Sequence, residues 1–248
     1  MESIIFLTFM FLLSISFLLF NTMFSDTGFL ERQLSFSRVD AAMSRNFDRI
    51  EKQCEKVGSD KFEEIYLRAF KEEKILEIWK WNGSQYVLYD TFPVCAASGE
   101  LGPKNRQGDR QVPEGFYEIN VFNPASNFLL SLGLNYPNQR DEIVNKPPRG
   151  GDIYIHGKCM SIGCLAMEDL PIEEIYCVAL LAKAGGQKKI PVHIFPFKMN
   201  EENFERKERH EQREFWRSIK PMYDALETNK KLVPFSISEK GKYIVEKP

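Results

Sequence analysis

The dipeptide Asn82-Gly83 stands between "KILEIWKW" and "QYVLYDTF", two runs rich in β-branched and aromatic residues. Asn and Gly tolerate positive φ at both centre positions of a two-residue turn, and such a turn fixes the register of the strands it joins. The stretch from Glu64 to Thr91 is therefore committed to β-structure, and whatever else the chain forms must pack on it. Further strands are expected at Phe116 to Phe122, in "DIYIH" ending at His156, and in "KIPVHIFPF". Turn-forming residues cluster in "ASGELGPKNRQGD". The segment from Asn123 to Gly151, with Pro124, Pro137, Pro147 and Pro148, reads as long loops around the short apolar stretch "FLLSLGL". Long loops on a β scaffold often shape a binding groove.

Helical periodicity appears on either side of these strands. Val39, Met43, Phe47, Ile50 and Cys54 recur three or four residues apart, predicting an amphipathic helix that ends near Gly58. "LPIEEIYCVALLAKAGG" predicts a helix with Pro171 in its first turn and Gly185-Gly186 at its end. Phe215, Ile219, Met222 and Leu226 repeat at helical spacing, and Pro221 is expected to kink or divide that helix. The expected fold is mostly β, of the α+β class. A helical stalk covers 25–60, one domain covers 61–198, and a helical extension with a short final strand covers 199–248.

Ile4 to Phe24 is almost wholly apolar and carries no charge, long enough to enter or cross a bilayer as a helix. No Lys or Arg precedes it and no small-residue cleavage pattern follows it, so 1–24 reads as a signal-anchor or transmembrane helix. Across the whole chain, 27% charged residues, a net charge of -2 and a pI near 6.0 give no attraction to nucleic acid.

Cys54, Cys95, Cys159, Cys164 and Cys177 form no CxxC pair and no zinc-like spacing with histidine, so neither a metal nor an organic cofactor is expected. Attention falls on "GGDIYIHGKCMSIGCLAMED", Gly150 to Asp169, where His156 precedes Cys164 by eight residues with Gly157 and Gly163 between them. A free thiol of pKa near 8.5 is only about 3% thiolate at pH 7, and a nearby imidazole is the usual means of activating it. The glycines permit a tight return that brings thiol and imidazole together, and the amides around Gly163 and Cys164 are candidate donors to an oxyanion. Taken alone, Cys164 reads more readily as a buried small hydrophobe, which is where most free cysteines sit. His193, in a strand, reads as a core or surface residue, and His210, in "ERKERHEQRE", as part of a solvated helix face.

The same residues carry a family likeness. "HG" followed by "S-x-G-C" on a β-rich domain resembles the active-site signature of the L,D-transpeptidases of bacterial peptidoglycan. Upstream, "QGDRQVPEGFYEI" and "GLNYPNQRD" resemble that family's "GD..TPxGxFxI" and "YPN..D" segments, so the likeness runs from about Tyr66 to Phe197. It implies a β-sandwich catalytic domain, Cys164 as nucleophile, His156 as general base, the backbone at Gly157 orienting the imidazole, and Ser161 and Gly163 shaping the nucleophile loop. Where the family commonly reads "S-H-G-C-x-R-[ML]", this chain has Ile162 for the second histidine and Ala166 for the arginine. Arg110, Arg149 and Tyr154 are the candidates to contact substrate in the arginine's place. A Cys95–Cys159 disulfide is the favoured pairing, since it leaves Cys164 free.

The implied substrate is the stem peptide of peptidoglycan, cleaved at the L-centre of meso-diaminopimelate. The implied place is the periplasm, with the chain anchored in the inner membrane or secreted into the envelope, and the implied role is in cell-wall synthesis and cell shape. Two alternatives stand beside the transferase. One is a hydrolase on the same scaffold that cuts a diaminopimelate-linked peptide or releases a peptidoglycan-linked lipoprotein. The other is a non-catalytic peptidoglycan-binding module.

Overall fold

A computed structural model describes residues 27–246; the expected N-terminal membrane helix, 1–24, lies outside the described residues. Among the described residues no helix is long and apolar enough to cross a membrane.

The hairpin forms, with its turn one residue further along than expected: the Asn82 amide donates to the Gln85 carbonyl at 3.1 Å, so Gly83 and Ser84 are its central residues, and of Asn82 and Gly83 only Gly83 takes a positive φ, +90°. Strands β2 (Ile75–Trp81) and β3 (Tyr86–Pro93) pair antiparallel, and Asn82 Oδ1 accepts bonds from the Ser84 and Gln85 amides at 3.2 and 3.0 Å. β1 (Ile65–Phe70) adds antiparallel to β2 on one side. On its other side it takes β8 (Pro191–Phe195), a parallel partner more than a hundred residues away in sequence. β4 (Gly115–Asn123) follows: its first half pairs with β8, and its second half pairs, across a register shift near Val121, with β5 (Ser131–Leu134). β6 (Tyr154–His156) and the two-residue β7 (Leu165–Ala166) complete the order β3-β2-β1-β8-β4-β5-β6-β7. Where a sandwich of two sheets was expected, the ladder is one large curled sheet of eight strands in a mixed α+β fold, with β4 carrying the pairing from one half to the other.

The helices cover this sheet. α1 (Thr27–Leu34) leads into α2 (Ser37–Lys56), whose Val39, Ala42, Ile50 and Cys54 are fully buried in the main core. α2 thus lies within the globule, its stalk assignment notwithstanding. Arg45 and Arg49 reach from it to Glu173 and Glu174 on the partner helix α4 (Asp169–Ala184). From Ile175 to Ala182 α4 carries no charged residue and is buried throughout, which suits a helix enclosed on every side over that stretch. The "NQRD" stretch, read from sequence as loop, forms a short helix, α3 (Gln139–Val144). Its start is a reciprocal cap in which Asn138 accepts from the Asp141 amide and Asp141 from the Asn138 amide, satisfying two donors the first turn would otherwise leave unpaired. "FLLSLGL", also read within loops, supplies β5.

The C-terminal helix divides, though not at Pro221. α5 (Glu201–Arg206) ends before a turn at 207–212, and α6 (Arg213–Asn229) runs through Pro221. Proline in a helix interior costs about 3 kcal/mol. Burial of Trp216, Ile219, Met222, Tyr223 and Leu226 on one face offsets this at about 1.5–3 kcal/mol per large side chain. The extension is bound to the sheet through polar groups as well. Trp216 Nε1 donates to Glu114 Oε2 at 2.8 Å, and the fully buried Glu114 also pairs with Lys71 at 3.0 Å. The terminal hairpin of β9 (Phe235–Ile237) and β10 (Tyr243–Val245) sets Tyr243 Oη within 3.2 Å of the Phe116 amide on β4.

Candidate active site

His156 and Cys164 lie at the edge of the curled half of the sheet. His156 is the last residue of β6, and Cys164 directly precedes β7, whose parallel register sets Ile155 beside Leu165 and His156 beside Ala166. The chain between them leaves and returns to the same two strands, so both side chains open on one cleft of about 340 Å³. Tyr154, Asp152 and Ser131 line it from the strand side, Asn127 and Phe128 from the loop after β4, and Met160 and Ile162 from the loop between His156 and Cys164. Met160 and Ile162 are well exposed, giving the cleft an apolar rim.

Each polar contact in the loop has a local cause. His156 Nδ1 lies 2.6 Å from the Gly157 carbonyl oxygen, a bond that puts the proton on Nδ1 and leaves Nε2 with its lone pair. The ring also packs against Phe128 at 4.5 Å between centroids. Gly157 has no room for a side chain: a Cβ there would fall 2.6 Å from the Phe128 carbonyl oxygen and 2.8 Å from an Asp169 carboxylate oxygen. Gly163 adopts φ +131°, a conformation that excludes L side chains, where the backbone turns past Gln111. Ser161 Oγ accepts from the Cys164 and Gly163 amides at 2.9 and 3.2 Å and donates to the Cys164 carbonyl at 2.7 Å. The two amides read from sequence as oxyanion donors are therefore engaged by the serine hydroxyl.

Burial sets the protonation of the pair. The Cys164 thiol is pushed above its ordinary pKa chiefly by desolvation, and its Sγ–H donates to the Asp152 carbonyl at 3.5 Å. His156 is held below the ordinary imidazole value by desolvation, against an opposing pull from its bond to Gly157. The resting pair is thus a neutral thiol and a neutral imidazole.

The remaining sequence candidates divide. Tyr154 lines the cleft, whereas Arg149 does not: its guanidinium holds the Glu142 carboxylate at 3.2 Å and the Glu142 carbonyl at 2.8 Å. Arg110 lies in the loop before β4 at φ +55° and is likewise outside the cleft lining. Cys95 and Cys159 are joined in a disulfide, Cα atoms 5.6 Å apart, which ties the loop after His156 to the segment after β3; Cys54 and Cys177 are buried and free. The sequence reading missed Asp152 and Phe128. Asp152 had a signal in "RGGDIYIH", a charge at the entry of the strand that ends in His156, but Phe128 reaches the ring through a loop whose path no local pattern reveals.

A family model described as the YkuD L,D-transpeptidase catalytic domain matches residues 65–194. The Escherichia coli (strain K12) protein named "Putative L,D-transpeptidase YafK" is 38% identical over 186 residues, 74% of either chain. This chain belongs to the L,D-transpeptidase catalytic domain family. Among solved structures, the helical cell shape determining protein Pgp2 from Campylobacter jejuni aligns with a TM-score of 0.43 at 17% identity, over 77% of this chain and 80% of that one. Bd1075 of Bdellovibrio bacteriovorus aligns at 0.39 and 21%, over 68% of this chain and 60% of that one. The L,D-transpeptidase match begins at β1 and closes within β8, so it takes in the sheet from one parallel partner to the other and leaves α2 and the C-terminal extension outside.

Proposed function

We propose that this L,D-transpeptidase family member transfers acyl groups through Cys164 on the stem peptides of peptidoglycan, at the L-centre of meso-diaminopimelate. The observation that carries the proposal is the cleft shared by a thiol and an imidazole whose Nδ1 is anchored on the Gly157 carbonyl. As the thiol attacks the amide carbonyl, His156 Nε2 takes its proton, so that sulfur enters as thiolate although the resting thiol is protonated. The C–N bond of the tetrahedral intermediate then breaks, the imidazolium returns the proton to the departing amine, and a thioester remains on Cys164. A second amine, or water, attacks the thioester with His156 again as base, and the thiol is restored.

Attack by an amine gives exchange or cross-linking; attack by water gives the hydrolase. The cleft is open and Cys164 is partly exposed, which supports the hydrolytic reading as the second one, with a diaminopimelate-linked peptide or lipoprotein as substrate. A role in the cell envelope, with the apolar segment Ile4 to Phe24 holding the chain at the inner membrane or directing its secretion, belongs to the same proposal.

Mass spectrometry of the full chain in detergent, incubated with tetrapeptide muropeptides with and without a D-amino acid, tests it. An acyl adduct on Cys164 with exchanged product is expected for the transferase. Tripeptide released at equal rate with and without the acceptor would assign the hydrolase, and absence of both adduct and product from these and from lipoprotein-linked muropeptides would leave the binding module.

A further inference from the structure

The charge of the cleft is the opposite of what the sequence suggested. Arginines were the expected substrate contacts, yet Arg149 is occupied by Glu142 and Arg110 does not reach the lining. Among the lining residues Asp152 is the one with a full charge, since His156 and Cys164 both rest neutral. The nearby ammonium groups are also engaged: Lys158 Nζ donates to the Asn127 carbonyl at 2.8 Å, and Lys104 pairs with Asp109 and donates to the Arg106 carbonyl at 3.0 Å. The Asp152 carboxylate, exposed at the cleft, has no ion pair or side-chain hydrogen bond among the described residues. It is close enough to the nucleophile to raise the Cys164 pKa through space. Its own backbone carbonyl accepts a hydrogen bond from the thiol at 3.5 Å, so the charge sits on a residue in contact with the nucleophile.

We propose that Asp152 makes this cleft a subsite for an ammonium group, so that the reacting peptide or the incoming acceptor is selected for a free amine beside the scissile bond. This rests on the acyl-transfer reading and adds the charge of the substrate to it. An unpaired carboxylate at the mouth of an open cleft attracts a cation and repels an anion, and nothing else in the lining balances it. Asp152 sits at φ +55°, a conformation that Asn accepts as readily as Asp, so Asp152→Asn removes the charge while keeping the backbone that holds the thiol.

The test uses the full-length protein and three alkylating probes of different charge: 2-bromoethylammonium, iodoacetamide and iodoacetate, with modification of Cys164 followed by mass spectrometry. All three need the same thiolate, so the ratio of cationic to anionic rate cancels any change in the thiol pKa. Asp152→Asn is expected to lower that ratio roughly tenfold at low salt, and added salt to lower it in the unchanged protein. An unchanged ratio would overturn the subsite. A second arm compares muropeptides whose diaminopimelate amine is free or acetylated. If acetylation lowers kcat/KM in the unchanged protein and not in Asp152→Asn, the ammonium belongs to the donor peptide. If it has no effect while the alkylation ratio still depends on Asp152, the ammonium is the acceptor's. If no muropeptide is processed at all, the acyl-transfer reading fails, and the alkylation ratio still decides the subsite.

Discussion

His156 and His193 are both 3% exposed, both stand on strands of the same sheet, and both are held below the ordinary imidazole pKa by burial. Their surroundings separate them. His193 sits among Tyr66, Phe116 and Phe195 on the central strand, its Nδ1 without a hydrogen-bond partner, and its pKa is pushed down to about 3. His156 is at a strand end, with Nδ1 anchored on a carbonyl and the ring facing an open cleft. Burial keeps both rings neutral, but only the second has a fixed tautomer and a route for substrate. Depressed basicity therefore marks a desolvated histidine; an anchored nitrogen beside open space marks one suited to catalysis.

The largest effect expected from this contrast is on turnover. His156→Ala should lower the rate of Cys164 acylation by about 10² to 10⁴-fold, the range of a lost general base, whereas His193→Leu should leave it within a few-fold. Burst kinetics with a muropeptide donor measure both, and an equal loss in the two variants would erase the distinction. Gly157→Ala should follow. The added Cβ, 2.6 Å from the Phe128 carbonyl oxygen, must displace the backbone whose carbonyl orients the ring, and a shift of about 1 Å costs on the order of 10- to 100-fold. A fold intact by circular dichroism with turnover reduced to that degree is the expected result; full turnover would mean the Gly157 bond does not orient the base.

For His193 the readout is stability. Its folded pKa, about 3, lies below the unfolded value of about 6.5, so between these limits the unfolded chain binds the extra proton. The stability associated with its neutral form is complete above about pH 6.5 and is lost as pH falls toward 3, by at most about 1.4 kcal/mol per pH unit. His193→Leu should remove this loss, so that between pH 6.5 and 4.5 the variant gains roughly 2 to 3 kcal/mol relative to the unchanged protein in guanidinium titrations. Parallel pH profiles for the two would show that His193 is not the buried base described here.

What could be read from sequence follows the range of the forces involved. The β2–β3 hairpin, the Pro171 start and Gly185-Gly186 end of α4, and the β4 and β8 strands are local patterns, and they appear within a residue or two of where the sequence places them. The pairing of β8 with both β1 and β4 is not local: it joins the two ends of the family's domain, and neither strand's composition names its partner. Pro221 misled for a related reason, since its cost is local and the tertiary burial that outweighs it is not. In the site, the spacing of His156 and Cys164 and the glycines between them were legible. The capture of both loop amides by Ser161, and of Arg149 by Glu142, depends on side-chain directions that no spacing encodes. α2 adds a practical consequence: with Ile50 and Cys54 fully buried, a truncation at Gly58 would remove part of the core, so truncated proteins should begin ahead of α1.

The smallest effect concerns the resting state of the pair. An imidazolium beside Cys164 would stabilise the thiolate and give alkylation by neutral iodoacetamide a plateau extending well below pH 7. The structure argues for the reverse, because desolvation raises the thiol and lowers the imidazole, and the thiol donates a hydrogen bond to the Asp152 carbonyl. The alkylation rate of Cys164 should therefore rise in a single step with its midpoint above the usual thiol range near 8.5, and fall about tenfold per pH unit below that midpoint. Asp152→Asn should move the midpoint down, since the carboxylate is one of the groups raising it, and His193→Leu should leave it in place. An acid plateau that disappears in His156→Ala would establish the ion pair instead. Activation would then precede substrate binding, and the two histidines would differ in charge as well as in setting.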